Sequence, residues 1–389
     1  MRKSLMTLAF GTFGLGVSEF VMMGILPLLA EDFGVSIPTA GHLISSYALG
    51  VCVGAPLIVL VARSWPLKRI LLFLMGIYTV AALAMALSPD YNVMLVMRFL
   101  AGMPHGAYFG VGAIVADKLS KEGKSTFAVA IMCSGMTVAN LIGIPLGTML
   151  ASVFSWRMIF GFSFLWGLWT LFSVVKWIPE LEPLKSTKVR DQFRFLKHPA
   201  PWLLIAATLL GNGGIFCWYS YITPLLVEVA GISAQYISLI MVLAGAGMVA
   251  GNLLGGKLSD KFGPGHTGRG IEITIFATLL LIFFCAQNPV LSILLMVVAT
   301  ACLFGVSSPQ QILLLRYSKG GELMGGAMVQ LAFNLGNAMG AYCGGLPVES
   351  GFGYEWTALV GACFALIGIV CYFLFCSRYE KRKSVSRQS

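Results

Sequence analysis

Long apolar runs separated by short polar segments dominate this sequence. The first run, Leu5 to Leu29, can cross a hydrocarbon layer of about 30 Å at about 1.5 Å per helical residue. Twelve such runs lie between charged, Pro or Gly boundaries, near residues 5–29, 40–62, 69–87, 92–116, 125–151, 156–177, 202–227, 235–256, 271–287, 290–315, 323–348 and 355–376. The pattern predicts an all-α integral membrane protein with twelve transmembrane helices.

Composition excludes a soluble globular protein. Hydrophobic residues make up 58% of the 389 residues and charged residues only 11%, whereas a soluble domain carries about 25% charged residues. In a soluble protein the net charge of +10 would suggest nucleic acid, but here the charges fall in loops. We therefore expect a lipid bilayer around the chain and no nucleic-acid partner. The nine cysteines lie in apolar runs and are interpreted as small hydrophobic residues without disulfides.

The Lys and Arg residues predict the topology. With the N-terminus in the cytoplasm, all 26 except Arg98 and Arg157 fall in cytoplasmic segments, where positive charge accumulates in membrane proteins. An even number of helices then returns the basic C-terminal tail to the same side. The sequence predicts a multi-pass protein with both termini in the cytoplasm.

Two six-helix halves are predicted around the longest polar connection. Residues 179–200 form a basic, Pro-containing linker between bundles at 1–178 and 201–377, followed by a basic tail at 378–389. Residues 46–69 also align weakly with 243–266, each running from the second helix of a half into the next loop.

Glu19 is the only ionisable residue in the first apolar run. An acid inside a membrane helix costs roughly 2.5 to 3.5 kcal/mol, so such residues usually face a protein interior or an aqueous path. By helical rise Glu19 and Arg98 lie at similar depths, and we expect them to face one cavity, as partners or as competitors for a substrate. Glu19 is the predicted proton carrier. The alternatives are a structurally paired or shallow Glu19, and an Arg98 that clamps backbone carbonyls.

His105 lies two turns beyond Arg98, in a glycine-spaced run that permits close helix packing. It is interpreted either as a hydrogen-bonded packing residue or as a titrating member of the proton pathway.

Several polar and aromatic residues in the predicted helices are candidate substrate ligands. Gln330, Asn334 and Asn337 share one face of the eleventh helix and could bind a polar ligand or join helices. On the seventh helix, Asn212 and Trp218 could hydrogen-bond and stack on a ring, although Trp218 could equally belong to an interfacial aromatic belt. Asn140 on the fifth helix is likewise a candidate substrate ligand. Glu272 is interpreted as an interfacial charge.

Three motifs resemble elements of the major facilitator superfamily. The segment Gly256-Lys257-Leu258-Ser259-Asp260-Lys261-Phe262-Gly263 matches its G-x-x-x-D-[RK]-x-G loop, whereas the corresponding loop of the first half, around Arg63, departs from it. Arg98 to Gly102 resembles the R-x-x-x-G element of the fourth helix. A variant of the antiporter motif is formed by Gly135, Gly143, Pro145 and Gly147.

Longer stretches of the chain, among them FGLGVSEFVMMGILP and SGMTVANLIGIPLGT, resemble the sugar-efflux-type branch of proton-coupled exporters. The resemblance implies a monomeric exporter of a bacterial cytoplasmic membrane that exchanges a small molecule, a sugar or a lipophilic drug, for protons. It also implies a packing seam at Gly135 to Gly147 and an inner latch at Asp260, with Lys261 and Gly263 in the same loop.

No phosphate-binding loop, metal site or nucleophile triad is apparent in the sequence, so we expect neither an enzyme nor a cofactor beyond the proton gradient. Two alternatives remain open. One is a proton-independent facilitator or importer of a sugar or nucleoside, and the other is a receptor or scaffold that does not transport.

Overall fold

The computed structural model describes residues 2–182 and 189–380, and these residues form helices without a β-strand. The twelve long helices are Arg2–Asp32, Ile37–Ala62, Leu67–Ala86, Tyr91–Lys118, Ser125–Val138 continued by Ala139–Gly143 and Ile144–Val153, Trp156–Trp177, Pro199–Ala206 continued by Ala207–Asn212 and Gly213–Tyr219, Ile237–Phe262, Pro264–Cys285, Pro289–Gly305 continued by Ser307–Tyr317, Glu322–Glu349, and Trp356–Tyr379. Shorter helical segments are Val189–Gln192, Arg194–Lys197, Ile222–Pro224, Leu225–Val229 and Ala234–Tyr236. The twelve-helix prediction is confirmed.

Eleven of the helices in the described ranges are long and apolar enough to span a membrane by length and composition. The remaining long helix is the eleventh, Glu322–Glu349. It carries Gln330, Asn334, Asn337 and several glycines, which lower its hydropathy. It packs against the second and fourth helices, so neighbouring protein shields its polar face from lipid.

Helix ends form where the sequence supplies capping groups. The Asp90 carboxylate accepts hydrogen bonds from the backbone N–H groups of Asn92 and Val93 and begins the fourth helix. The Asn288 side chain caps the tenth helix in the same way, with Pro289 as its first residue. The predicted division between the ninth and tenth helices is therefore confirmed.

Two helices contain π-helical turns near the middle of the bundle. Ala139–Gly143 interrupts the fifth helix, and Ala207–Asn212 interrupts the seventh. A π-helical turn inserts a residue into the helix and is often found at functional sites. The tenth helix also breaks after Gly305, where the ring of Pro309 prevents the regular hydrogen bond to the carbonyl four residues earlier.

The two sets of six helices meet closely at one end of the bundle. We call this the basic end, because it carries the Asp260 loop and most of the Lys and Arg residues. There the fifth helix packs on the eighth and the fourth on the eleventh. A Cβ atom built on Gly326 would lie only 2.6 Å from the Cα atom of Gly110, so only glycine permits this approach.

The ninth helix begins earlier than predicted. It starts at Pro264 instead of near residue 271, and the eighth helix continues to Phe262. The charge pattern assigns Arg269 to a cytoplasmic segment, but a long basic side chain can extend along a helix toward the headgroups. The earlier start places Glu272 about 12 Å inside the helix rather than at its end.

Candidate functional site

Arg98 joins three helices of the first half. Its guanidinium is completely buried and donates from Nε to the Leu43 carbonyl at 3.1 Å and from Nη1 to the Ser18 carbonyl at 2.6 Å. It also lies over the ring of Tyr47, 4.4 Å from the centroid. Arg98 is thus a clamp on backbone carbonyls in this conformation, and it positions the residue that precedes Glu19.

Glu19 lies beside a histidine rather than in direct contact with Arg98. Its Oε2 atom is 3.8 Å from Nδ1 of His105, and Nδ1 is hydrogen-bonded at 2.9 Å to the Tyr47 hydroxyl. Arg98 is within electrostatic range of Glu19, and the Tyr47 ring under its guanidinium joins it to His105. The four side chains form one polar group, which we call the Glu19 cluster.

The Glu19 cluster is almost fully enclosed. Arg98 and His105 are 0% exposed, while the Glu19 side chain keeps 14% of its surface accessible. Three atoms of the cluster have no hydrogen-bond partner among residues 2–182 and 189–380: Glu19 Oε2, Arg98 Nη2 and His105 Nε2. Buried polar atoms without partners are unfavourable, so a small rearrangement or a bound proton can change the balance of contacts in this cluster.

A narrow cavity, which we call the central cavity, lies between the two halves on the basic side of the Glu19 cluster. It has space for about one water molecule. Its walls come from the fourth, fifth, tenth and eleventh helices: Phe109, Cys133, Met136, Phe304, Ser307, Gln310, Val329, Gln330 and Phe333. His105 stacks on Phe109 with ring centroids 5.1 Å apart, and this contact connects the cluster to the cavity.

The eleventh-helix amides do not act as one stripe. Gln330 lines the cavity, whereas the Asn334 amide donates to the Gln330 carbonyl of its own helix. Asn337 lies further along, with its buried Oδ1 unpartnered. Asn140 also turns back to its own helix and donates to the Met136 carbonyl at 3.2 Å.

Asn212 and Trp218 lie inside the second half. Asn212 is completely buried, and its Nδ2 is 3.5 Å from Oε1 of Gln310. Trp218 is 1% exposed, so its interpretation as part of an interfacial belt is wrong. The seventh helix presents Trp218 to neighbouring helices rather than to lipid. The depth of a residue along a membrane helix does not determine which way its side chain faces.

The predicted antiporter motif forms the contact between the first and fifth helices. A Cβ on Gly135 would overlap the Ala9 carbonyl and the Thr12 side chain, and Cβ atoms on Gly143 and Gly147 would overlap Val17 and Val21, respectively. Small residues let two membrane helices approach at backbone distance. Pro145, in contrast, lies on the exposed side of the helix.

Asp260 connects the halves at the basic end. Its two carboxylate oxygens accept hydrogen bonds from the backbone N–H groups of Thr126 and Phe127 at 2.8 and 2.9 Å. These groups lie at the N-terminus of the fifth helix, where the helix dipole favours a negative charge. Gly256 packs against the same turn.

The remaining loop residues have local roles. Gly263 has φ +94°, a conformation that favours glycine, and it joins the eighth helix to the ninth. Lys261 is exposed and lies over the ring of Phe262.

Glu272 is not an interfacial charge, contrary to the sequence interpretation. It is 0% exposed, and neither carboxylate oxygen has a hydrogen-bond partner in the part of the chain that the structure describes. The reason is the early start of the ninth helix, which carries the side chain into the second half.

Sequence reasoning also missed Tyr47 and Gln310. Tyr47 resembles an ordinary core aromatic residue in its helix. The sequence does contain a feature that could have identified Gln310. It belongs to the polar stretch Ser307-Ser308-Pro309-Gln310-Gln311 within an apolar span. Such a stretch in a membrane helix normally faces protein or water.

His266, Cys376 and Glu380 come together at the basic end, with potential ligand atoms within 4.8 Å of one another. Glu380 accepts a hydrogen bond from Gly265 N–H at 3.0 Å and lies 3.1 Å from Nδ1 of His266. These contacts cap the ninth helix and account for the grouping without a metal.

Comparisons with known proteins agree with this architecture. The family model described as Major Facilitator Superfamily matches residues 8–328. The protein named "Putative transporter AraJ" of Escherichia coli K12 is 45% identical over 99% of this chain and 97% of its own length. A chloramphenicol resistance protein of Streptomyces lividans is 30% identical over 87% of this chain and 88% of its own.

Among solved structures, the chain resembles the fucose:proton symporter FucP of E. coli, with a TM-score of 0.78 at 14% identity. The match covers 95% of this chain and 98% of that one. At this identity the likeness concerns the fold.

Proposed function

The chain belongs to the Major Facilitator Superfamily, and we propose that this multi-pass membrane transporter exports a small molecule in exchange for protons. The observation that carries the proposal is Glu19, an acid within a membrane helix, 3.8 Å from His105, which stacks on Phe109 in the wall of the cavity between the halves. Glu19 is the proton carrier in this mechanism, and Arg98 and His105 control its charge.

The geometry of the Glu19 cluster supports proton coupling. A carboxylate in a medium of low polarity is stabilised by nearby hydrogen-bond donors and positive charge, and the neutral acid is favoured when they move away. Arg98 is bound to the Ser18 carbonyl, next to Glu19 in the chain. Any motion of the first helix relative to the second and fourth therefore alters the surroundings of the carboxyl, so the acid takes up or releases a proton during the cycle.

A substrate bound in the central cavity would disturb the contacts of the Glu19 cluster. His105 contacts Phe109, and Phe109 forms part of the cavity wall. A ligand that enlarges the cavity displaces Phe109 and, through it, His105. This route makes substrate binding and protonation of Glu19 mutually sensitive, as exchange requires.

Alternating access would depend on the contact at the basic end. Asp260 holds the two halves together there, and the glycine contacts of Gly110 and Gly326 permit a tight closure. Opening toward the basic end requires these contacts to separate while the halves rock around the site. We place this end, with both termini, in the cytoplasm of a bacterial cell, as the distribution of Lys and Arg indicates.

The cavity walls support a lipophilic substrate with a few hydrogen-bonding groups. Three Phe residues, one Met and one Val supply apolar surface, and Gln310, Gln330 and Ser307 supply polar groups. The relative named for chloramphenicol resistance makes that aromatic, amide-containing drug the first compound to test.

The test is uptake of labelled chloramphenicol by proteoliposomes in which an imposed pH gradient drives exchange, with a pentose and a nucleoside as comparison compounds. We expect gradient-dependent uptake that disappears in Glu19→Gln. Glu31→Gln, an exposed acid on the same helix, is the matched control and should retain uptake. Uptake that ignores the gradient, or is unchanged in Glu19→Gln, would favour the proton-independent facilitator.

A further inference from the structure

Glu272 is a second buried acid, on the ninth helix and far along the chain from the Glu19 cluster. It is 0% exposed, and within the described residues both of its carboxylate oxygens lack a hydrogen-bond partner. An ionised carboxylate without partners in an apolar interior is strongly unfavourable, so the neutral acid is the form that this environment accommodates.

The surrounding helices leave room for this side chain. A Cβ on Gly211 of the seventh helix would lie 2.7 Å from Glu272 Oε2, and a Cβ on Gly368 of the twelfth would lie 3.2 Å from the same atom. Any larger residue at Gly211 would collide with the carboxyl group. The acid therefore occupies a space shaped by two glycines rather than a loosely packed gap.

The ionisable groups that face Glu272 are uncharged at neutral pH. They are Cys302 of the tenth helix and Cys371 and Tyr372 of the twelfth, while the seventh helix presents Gly211. Arg269, on the same helix as Glu272, acts on Cys376 nearer the basic end. Among the residues that the structure describes, no cation pairs with Glu272, in contrast to the surroundings of Glu19.

Polar side chains connect Glu272 to the central cavity. The Tyr372 side chain is buried, and its hydroxyl lies within electrostatic range of Glu272 and faces Gln310. Gln310 lines the cavity and contacts Asn212, which follows Gly211 in the π-helical turn. A change at the cavity wall can therefore reach the carboxyl group through Gln310 and the seventh helix.

We propose that Glu272 is a second proton-binding site, loaded as a neutral acid when the basic end is closed. When the seventh helix moves and admits water, the carboxyl O–H bond breaks and a water molecule accepts the proton as hydronium, leaving a carboxylate. Reprotonation precedes closure. This site deepens the proposed proton coupling and rests on it, but its titration can be measured without any substrate.

The test is infrared difference spectroscopy of proteoliposomes over a pH series, in H₂O and D₂O, with the Glu19→Gln variant as the starting protein. Exposed Asp and Glu residues ionise near pH 4, so at neutral pH a remaining carbonyl band of a protonated acid should come from Glu272. We expect this band to fall about tenfold per pH unit above its midpoint and to shift in D₂O. Adding Glu272→Gln should remove it.

Two results would overturn the second site. One is the absence of a protonated-acid band in Glu19→Gln at every pH, which would mean an ionised Glu272. The other is a band that neither titrates nor exchanges in D₂O, which would mean a permanently neutral packing residue. Both are read from Glu19→Gln alone, so a poorly folded Glu272→Gln variant leaves the outcome defined. Either result combined with Glu19-dependent chloramphenicol exchange would remove this inference and leave the proposed function standing.

Discussion

Glu19 in the first half and Glu272 in the second are both acids inside membrane helices, yet their surroundings differ. Glu19 has His105 at 3.8 Å and Arg98 within electrostatic range, and part of its side chain is accessible. Glu272 is sealed among glycines, cysteines and a tyrosine, without a counter-charge in the described part of the chain. The first acid is placed where it can be charged, whereas the second is placed where it must be neutral until the helices move.

The comparison separates two ways of tolerating an acid in a membrane. In the Glu19 cluster, the nearby positive charge of Arg98 offsets part of the lost hydration. Around Glu272, a bound proton removes the charge instead. The first arrangement responds to the position of Arg98 and His105, and the second responds to the entry of water. Four changes to the chain test this contrast.

The largest expected effect is that of Glu19→Gln on transport. Glutamine cannot carry a proton, so gradient-driven chloramphenicol uptake should fall to the level of vesicles without protein. Exchange of chloramphenicol across the membrane without a gradient should survive, because the cavity is intact. If Glu19→Asp restores no coupling while folding normally, the requirement is for the reach of the side chain as well as its charge.

Arg98→Ala should destabilise the protein by about 3 kcal/mol or more, because two charge-assisted hydrogen bonds to buried carbonyls are lost. The measurement is denaturation in detergent followed by tryptophan fluorescence. Arg98→Lys keeps the charge without the planar fork and should be intermediate. Arg157→Ala, at a partly exposed ion pair with Asp32, should cost less than about 1 kcal/mol. Equal losses at Arg98 and Arg157 would contradict the clamp.

Asp260→Asn should loosen the basic end. Replacing a carboxylate that accepts two backbone hydrogen bonds costs about 1.5 to 3 kcal/mol, or roughly a 10- to 100-fold shift toward the open state. Amide hydrogen exchange of Thr126 and Phe127 should accelerate accordingly. The matched control is Lys261→Gln, an exposed change in the same loop that should leave exchange at these amides unaltered.

The smallest expected effect has the opposite sign. Glu272→Leu should stabilise the protein by about 1 kcal/mol, because a buried polar group without partners is replaced by an apolar one of similar size. The corresponding change at the first acid, Glu19→Leu, should not stabilise, since it removes the negative charge that lies 3.8 Å from His105 and within electrostatic range of Arg98. Denaturation curves of both variants decide whether the contrast between the two acids holds. A destabilised Glu272→Leu would reveal partners for the carboxyl that the structure lacks.

Much of the fold followed from hydrophobic length and charge placement. The twelve helices were predictable because a bilayer demands long, apolar, internally hydrogen-bonded segments. The predicted bounds of the eighth and ninth helices were the least accurate, because the charge of Arg269 indicates a position outside the membrane. For the candidate site the sequence offered less: a charge in an apolar run is conspicuous, so Glu19 and Arg98 could be selected as candidates, and their roles in proton coupling stay predictions.

The sequence by itself determined which residues share a membrane depth, since helical rise converts residue number into depth. It also determined where helices can pack closely, because small residues mark those positions. Only the tertiary structure decided their partners. Helix rotation and packing brought Tyr47 between Arg98 and His105, joined Gln310 to Asn212, and buried Glu272 beside Gly211. These contacts join residues far apart in the chain, and no local pattern specifies them, because rotation about a helix axis depends on all the neighbours at once.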